Sequence, residues 1–245
     1  MEDYCIFVQA RMSSSRSPGK VAEDIFGKPM LLRQLERLRE ANKKINIVCV
    51  TSTDSSDDLI ENICNENNFN CFRGSLNNVL NRYISAARFY EVNNIIRIGG
   101  DDPLVDVDQI SILINEHKKT GADFIFTSHR KGWPFGCACE LISVEALNRI
   151  SRETNDPLYL EHIIPWFHHN SNEFKCMAIN APAQIHRPDY YLSVDYPEDI
   201  ELIKKIFSEL RDLGDYFPFE KVIEFCDKNP EIIEINQHLH EGFDK

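Results

Sequence analysis

Three cations stand close together near the start of the chain, in a segment that reads V-Q-A-R-M-S-S-S-R-S-P-G-K over residues 8–20. Arg11, Arg16 and Lys20 fall within ten residues, and mostly small residues separate them. Small residues let backbone N–H groups approach an anion, and the cations neutralise its charge. An apolar run at 4–8 precedes the segment and predicts a buried strand. The first loop after the first strand of an α/β sheet lies where such sheets bind nucleotides, so an anion site is favoured over a solvated basic loop.

Two aspartates carry the opposite charge. Asp101 follows a predicted strand at 94–98 after two glycines, and Asp195 directly follows a predicted strand at 190–194. Since strand ends of a parallel sheet share one edge, we expect both carboxylates near the cationic loop. Carboxylates beside a triphosphate need a divalent cation between them, and Mg²⁺ is commonly held by one or two carboxylates plus phosphate oxygens. The pair favours nucleotidyl transfer with Mg²⁺ or Mn²⁺ as cofactor, whereas each aspartate alone could be a helix cap.

The composition narrows the class of protein. A net charge of −12 and an isoelectric point near 5.1 argue against nucleic acid or an anionic membrane as partner. No apolar run is long enough to cross a bilayer, and the first residues do not resemble a signal peptide, so we expect a cytoplasmic protein with reduced thiols. The eight cysteines include no C-x-x-C pair. Zinc at Cys137, Cys139 and His129 is disfavoured because a second ligand pair at a familiar spacing is missing.

Strand and helix patterns alternate up to Thr127, which predicts βαβ crossovers and a mainly parallel sheet. We expect strands at 4–8, 45–51, 70–72, 94–98 and 123–127. The intervening helices are expected to begin near Pro29, Ser55 or Ser56, Ser75 and Asp108.

Beyond Thr127 the pattern is less regular. We expect an antiparallel strand at 138–142, strands at 174–179 and 190–194, and helices from Ser143, Asp156, Pro197 and near 219–228. No repeat or linker is visible, so we predict a single domain over 1–245. Within it, the segment at roughly 128–190 is expected to form a small lobe for acceptor binding or dimerisation.

Six motifs occur in an order that identifies a family. They are Q-A-R-M-S-S-S-R-S-P-G-K-V, G-K-P-M-L, R-G-S, G-D-D-P-L-V-D, E-H-I-I-P and S-V-D-Y-P-E-D-I-E-L-I. With them the chain resembles the spore-coat polysaccharide cytidylyltransferase-like proteins, relatives of CMP-sialic acid and CMP-Kdo synthetases in the acylneuraminate cytidylyltransferase family. The resemblance covers about residues 6–206 and implies a Rossmann-like α/β/α sandwich of the nucleotide-diphospho-sugar transferase type. It also implies a homodimer, for which Trp133 and Trp166 offer apolar contacts.

The resemblance also implies roles for single residues. Those for the nucleotide are Ala10, Arg11, Ser14, Arg16, Lys20, Arg73 and Asp101, of which Arg11, Lys20 and Asp101 would be catalytic. Arg11, Ser14 and Lys20 would hold the triphosphate of CTP, while the Ala10 backbone and Arg73 would read cytosine. Asp101 and Asp195 would hold the metal. The chain departs from its relatives at Asp102, which could add a ligand, and at Asn77 and Asn78, where an acidic residue is frequent.

The acceptor pocket is harder to predict. Glu140 ends a strand-like C-A-C-E run and could bind an acceptor hydroxyl or amine, or be a surface charge. Glu161 and His162 lie in a predicted helix, where acceptor binding and helix packing are equally compatible with the pattern. Further polar and aromatic candidates nearby are His129, Arg130, Trp133, Phe135, His186 and Arg187.

The sequence therefore predicts a CTP-dependent cytidylyltransferase that transfers CMP to a small anionic acceptor and releases pyrophosphate. The acceptor would be an acidic sugar, a phosphate or a phosphonate, and the product a precursor of a surface polysaccharide. One alternative is a glycosyltransferase of similar fold, which would need a D-x-D motif where this chain has G-D-D-P. Another is a catalytically silent nucleotide-binding module, which the four charged residues Arg11, Lys20, Asp101 and Asp195 disfavour.

Overall fold

Seven strands form one sheet in the part of the chain that the computed structural model describes, residues 3–14, 16–214 and 216–240. The sheet order is β3-β2-β1-β4-β6-β5-β7. The strands are β1 (Tyr4–Gln9), β2 (Asn46–Ser52), β3 (Asn70–Gly74), β4 (Asn94–Gly99), β5 (Phe124–Thr127), β6 (Glu140–Ser143) and β7 (Cys176–Ile179). All neighbours pair in parallel except β6, which is antiparallel to β4 and β5. The predicted mainly parallel sheet with an antiparallel strand is confirmed.

Helices cover both faces of this sheet. The helices of the described residues are α1 (Met30–Ala41), α2 (Asp58–Glu66), α3 (Val79–Phe89), α4 (Asp108–Thr120), α5 (Val144–Glu153), α6 (Pro157–Glu161), α7 (Ile163–His169), α8 (Pro197–Leu210), α9 (Phe219–Lys228) and α10 (Pro230–His240). One face packs on α1, α2 and α4, and the other on α3, α5 and α7. A third apolar cluster lies among α8, α9 and α10. In the described part of the chain, no helix has the length and apolar character needed to traverse a lipid bilayer.

Several helices begin where their capping residues predict. The Ser143 hydroxyl accepts a hydrogen bond from Ala146 N, and the Asp156 carboxylate accepts one from Leu158 N, so each satisfies a free backbone donor of the first turn. Two other predicted starts are wrong. α3 begins at Val79, where the Asn78 side chain is the cap, and Ser75 lies before it. A short turn at Ser55–Asp57 precedes α2, which begins only at Asp58.

The predicted strand at 190–194 does not form, although every residue of this segment is described. A single bridge joins Phe135 to Tyr191. The backbone then changes partner, because Leu192 N donates to Phe135 O whereas Val194 N donates to Asp101 O. Without one continuous neighbour no ladder can develop, but this change of partner attaches the segment before Asp195 directly to the Asp101 turn.

The segment 128–190 is built into the sheet, since it contributes both β6 and β7. Trp133 is only 1 % exposed, and its indole N–H donates to Ile179 O at 2.8 Å. Trp133 therefore belongs to the core and cannot serve as the dimer contact that we predicted. Trp166 lies at the other end of the segment, edge-on to Tyr159.

Gly136 packs closely against the backbone of Leu192 and Ser193, in the segment that leads to Asp195. Its φ is +80°, and a Cβ there would collide with the backbone of Leu192 and Ser193. We expect Gly136→Ala to lower the free energy of unfolding by about 3 kcal/mol, from left-handed strain plus the clash. The matched control is Gly121→Ala, which has φ +60° but open space at its Cβ and should lose about 1 kcal/mol. Guanidinium chloride unfolding measures both, and equal losses would contradict a close-contact role for Gly136.

Candidate active site

A cleft of about 250 Å³ opens at the carboxyl ends of β1 and β4. The residues that line it are Gln9, Ala10, Arg11, Ser14, Arg16, Lys20, Val21, Arg97, Gly99, Asp101, His162 and Asp195. The structure thus brings together the cationic loop and both predicted aspartates. It also brings in His162 from the junction of α6 and α7, and Arg97 from β4.

Lys20 is the centre of the cleft floor. Its ammonium lies 2.8 Å from Asp101 Oδ2, 3.0 Å from Asp195 Oδ1 and 2.6 Å from the carbonyl oxygen of Val194. The Lys20 side chain is only 7 % exposed. Burial by itself would lower the pKa of Lys20, but the two carboxylates outweigh it and raise the pKa above its usual value. The lysine therefore remains charged and joins the turn at Asp101 to the segment at Asp195.

Asp195 is held on both carboxylate oxygens. Oδ1 faces Lys20 and the Arg16 guanidinium, the latter at 2.9 Å, while Oδ2 accepts the Tyr191 hydroxyl at 2.8 Å. Burial would raise the pKa of Asp195, but the hydrogen bond and charge of Lys20 lower it below the usual value. The helix-cap alternative is excluded for this residue, because the N-cap of α8 is Tyr196, whose backbone N–H donates to the carboxylate of Asp199 in the first turn.

Backbone contacts shape the loop that carries the cations. The Met12 N–H donates to buried Asp57 at 2.7 Å, and Gly19 N–H returns to Met12 O at 2.9 Å. Gly19 has φ +81°, a conformation that favours glycine, and the short turn Lys20–Ala22 follows it. This closed loop turns Lys20 inward while the Arg11 and Arg16 side chains remain partly exposed at the cleft.

Both glycines before Asp101 are needed for close packing. A Cβ on Gly99 would press on the carboxylates of Asp101 and Asp102, and one on Gly100 would meet Ala10. Burial and the neighbouring Asp101 raise the pKa of Asp102 well above its usual value. No helix begins at Asp101, since α4 starts at Asp108, so the helix-cap alternative is excluded for Asp101 as well.

Of the predicted acceptor residues, His162 lines the cleft, and Glu161 and Glu140 each pair with an arginine that lines it. Glu161 forms an ion pair with Arg11 at 2.9 Å. Glu140 forms one with Arg97 at 2.8 Å, across paired positions of β6 and β4. Burial would lower the pKa of Arg97, but Glu140 raises it above its usual value. Sequence reasoning missed Arg97, although a lone cation inside the apolar strand N-I-I-R-I-G was a usable signal.

Arg73 lies outside the cleft. Its guanidinium faces α2, where it donates to Ser52 O, Asp54 O and Glu61 at 2.8 Å each and pairs with Asp58 at 2.7 Å. The Arg73 side chain lies on the α2 side of β3, whereas α3 packs on the other. The contact of Arg73 with cytosine therefore stays a prediction that this arrangement does not support.

A second arginine that the sequence analysis missed is buried on α3. Arg82 on α3 is 1 % exposed, and its Nε has no hydrogen-bond partner among the described residues. Thr51 Oγ1, at the carboxyl end of β2, is also buried without a partner there. Burial lowers the pKa of Arg82. The charge of Asp57 raises this pKa, whereas the charge of Arg11 lowers it. Both unpaired atoms are buried, and neither residue is among those that line the cleft.

Asp101 and Asp195 are suitable ligands for a divalent cation. Both carboxylates contact one ammonium, so their oxygens lie no more than about 6 Å apart. Two carboxylates completed by phosphate oxygens are a typical Mg²⁺ donor set. In the described part of the chain, no cluster of three or more His, Cys, Asp or Glu could hold a metal unaided. Mg²⁺ therefore stays a prediction, and zinc at Cys137 and Cys139 finds no support, since both are fully buried and His129 stacks on Phe135.

A mainly parallel α/β sheet with a cleft at the carboxyl ends of its strands, lined by cations and two carboxylates, is typical of nucleotide-binding proteins. Comparison with known proteins gives the family. The cytidylyltransferase family model matches residues 5–236. The chain belongs to this family, whose members are nucleotidyltransferases, and the predicted enzyme class is confirmed.

Three similar proteins illustrate the match. The chain is 29 % identical over 236 residues to the spore coat polysaccharide biosynthesis protein SpsF of Bacillus subtilis, covering 94 % of this chain and 97 % of SpsF. A cytidylyltransferase structure from Leptospira borgpetersenii serovar Hardjo-bovis is 30 % identical, with a TM-score of 0.88 over 94 % of this chain and 96 % of that one. A CMP:2-keto-3-deoxy-manno-octonic acid synthetase complexed with CTP shares only the fold, at 16 % identity and a TM-score of 0.64 over 85 % and 99 % of the two chains. The predicted nucleotide-diphospho-sugar transferase type of fold is confirmed.

Proposed function

We propose that this protein transfers CMP from CTP to a small anionic acceptor and releases pyrophosphate. The observation that carries the proposal is the ammonium of Lys20, buried between Asp101 and Asp195 beneath a loop that also presents Arg11 and Arg16. Such a floor suits a polyphosphate, because it offers fixed positive charge next to ligands for the accompanying cation. Family membership supports CTP as the nucleotide, and a synthetase of similar fold has been solved in complex with CTP.

The reaction follows from where the charges lie. An oxygen of the acceptor attacks the α-phosphorus of CTP, a new P–O bond forms, and the bond to the β-phosphate oxygen breaks with that oxygen keeping the electron pair. Where the attacking oxygen is a hydroxyl, its proton passes to water. Arg11, Arg16 and Lys20 stabilise the negative charge that builds up on pyrophosphate. Asp101 and Asp195 would hold Mg²⁺, which when bound polarises the α-phosphate. Positioning and electrostatic stabilisation provide the rate enhancement, and no side chain forms a covalent intermediate.

The acceptor is proposed to approach from the wall formed by Arg97, Glu140, Glu161 and His162. Arg97 and His162 line the cleft, and the two glutamates pair with Arg97 and Arg11. An acceptor anion could exchange with Glu161 on the half-exposed Arg11. SpsF is named for spore coat polysaccharide biosynthesis, which supports a product destined for a surface polysaccharide. As the acceptor we propose an acidic sugar, a phosphate or a phosphonate. A cytoplasmic homodimer is part of the same proposal.

Base selectivity provides a first test. Cytosine O2 and N3 are both acceptors, whereas uracil N3 is a donor, so a site with arginine donors should prefer CTP. We expect pyrophosphate release to be at least about tenfold faster with CTP than with UTP, ATP or GTP at equal subsaturating concentration.

Two arginine variants locate the residue responsible. If Arg73 reads the base, Arg73→Ala lowers the ratio of CTP to UTP turnover; if Arg82 does, Arg82→Lys lowers it and Arg73→Ala does not. The unfolding free energy of each variant is the folding control. Equal turnover of CTP and UTP by the unaltered protein would contradict the recognition of cytosine by an arginine donor.

A further inference from the structure

The helix α10 contacts the residues that hold Asp195. Asn236 is completely buried, and its amide donates to Tyr191 O at 2.9 Å and to Asp199 Oδ1 at 2.7 Å. One turn further on, His240 Nε2 lies 2.9 Å from the same Asp199 oxygen. The imidazole also stacks on the Tyr191 ring, with centroids 3.3 Å apart and planes within 9°. Two residues of one helix thus meet the same pair of partners.

Those partners fix Asp195 from two sides. The Tyr191 hydroxyl donates to Asp195 Oδ2 at 2.8 Å, and burial together with Asp195 raises the pKa of Tyr191, so the hydroxyl keeps its proton. Asp199 Oδ2 accepts the backbone N–H of Asp195 and that of Tyr196, both at 2.7 Å. One contact therefore sets the carboxylate and the other sets the backbone from which it projects.

Asp199 links α10 to the backbone at residues 195–196. It is 1 % exposed, and both its oxygens are used, one by α10 and one by the backbone at 195–196. A buried carboxylate that loses half of its hydrogen bonds rotates or rehydrates, because an unsatisfied charge is costly. Loss of the α10 contacts should therefore loosen the backbone of Asp195 even though α10 does not touch that residue's carboxylate.

We propose that Asn236 and His240 are positioning residues for Asp195, acting through Asp199 and Tyr191. This inference rests on the proposed function, because it assumes that Asp195 serves the metal and the nucleotide. The family model ends at residue 236, so His240 lies beyond the region that the match covers. The C-terminal helix is in this view part of the active-site framework and more than a packing element.

The test compares two histidines of the same helix. His240→Ala should raise the Mg²⁺ concentration for half-maximal pyrophosphate release about tenfold and lower kcat by a similar factor, with the KM for CTP at saturating Mg²⁺ within about twofold. His238→Ala is the matched control, since His238 is exposed on α10 and makes none of these contacts. An independent readout, which needs no acceptor, is the affinity for Mn²⁺ in the presence of CTP, measured from the electron paramagnetic resonance signal of free Mn²⁺.

Two further variants separate the contacts of His240. His240→Gln keeps a donor for Asp199 and loses the stack, whereas His240→Phe keeps the stack and loses the donor; each should restore part of the Mn²⁺ affinity. Combined with Tyr191→Phe, His240→Ala should cost less than the two single losses together, because both act on one carboxylate. A merely structural role would instead lower the unfolding free energy and leave the Mn²⁺ affinity of the folded protein unchanged.

The outcomes are distinguishable. If His240→Ala and His238→Ala match each other in Mn²⁺ affinity and in kcat, α10 does not position Asp195. If the unaltered protein binds Mn²⁺ with CTP but none of the acceptors tried leads to release of pyrophosphate, the proposed function fails. The Mn²⁺ affinities of the variants still decide the role of α10. If it binds no Mn²⁺ with CTP, the inference fails as well.

Discussion

Replacing Asp195 by asparagine is expected to reduce the turnover number for pyrophosphate release about a hundredfold or more. The amide is nearly isosteric but uncharged. Lys20 and Arg16 then lose a counter-charge, and the proposed metal loses a ligand. Asp101→Asn should act in the same direction, because its carboxylate faces the same ammonium. The measurement is pyrophosphate release across a Mg²⁺ titration, with thermal unfolding to confirm folding.

Asp189→Asn is the control for Asp195→Asn. Asp189 is an exposed aspartate six residues before Asp195, so its loss of charge should leave turnover and Mg²⁺ dependence unchanged. The metal assignment would be wrong if both active-site variants kept near-normal turnover at low Mg²⁺. The two aspartates would then only fix Lys20 in place.

Removing the Lys20 ammonium is expected to affect both stability and catalysis. In Lys20→Met the carboxylates of Asp101 and Asp195 face each other without the cation between them. Removing one partner of a buried ion pair costs about 3 to 5 kcal/mol, and we expect the lower end because Asp101 is 37 % exposed. Saturating Mg²⁺ should restore part of this loss, since a cation that binds only the folded state stabilises it. Unfolding in EDTA and in Mg²⁺ gives the two values.

Catalysis by Lys20→Met should fall mainly in kcat. Charge on the phosphoryl oxygens changes most in the transition state, so we expect about a hundredfold loss of turnover and little change in the KM for CTP. Lys28→Met is the control, because Lys28 forms a surface ion pair with Glu36 that is worth about 1 kcal/mol or less. A rise in KM with unchanged kcat would show that Lys20 binds substrate and transition state equally.

Local patterns were sufficient to predict most of the fold. Strands β1 to β5 fall within two residues of their predicted bounds because apolar runs and flanking polar residues mark them. The caps at Ser143 and Asp156 act through neighbours two or three residues away, so sequence alone finds them. The segment 190–194 has the apolar character of a strand, but hydrogen bonding to Phe135 and then to Asp101 depends on tertiary packing. The helix α10 was missed entirely.

The cleft was predictable where one rule applies, that strand ends share an edge. This rule places Asp101, which follows β4, near the cationic loop. Asp195 follows no strand, and it is the hydrogen bond from Val194 N to Asp101 O that holds its segment there. The direct contact of Lys20 with both carboxylates was not predicted, because it depends on the left-handed turn at Gly19 and on how deeply the side chain is buried. The ion pair of Arg97 with Glu140 requires the register of β4 against β6. The burial of Arg82 requires the packing of α3. Neither the ion pair nor this burial is visible in local sequence.

Transfer of labelled phosphorus from CTP tests the central claim most directly. The protein is incubated with CTP carrying ³²P at the α-phosphate, Mg²⁺, and in turn acidic sugars, phosphorylated metabolites and phosphonates. We predict that at least one acidic acceptor becomes labelled, that unlabelled pyrophosphate appears in equal amount, and that Asp195→Asn abolishes both. Label that stays in CTP with every acceptor, from a folded protein that binds CTP and Mg²⁺, would contradict cytidylyl transfer and favour the silent nucleotide-binding module.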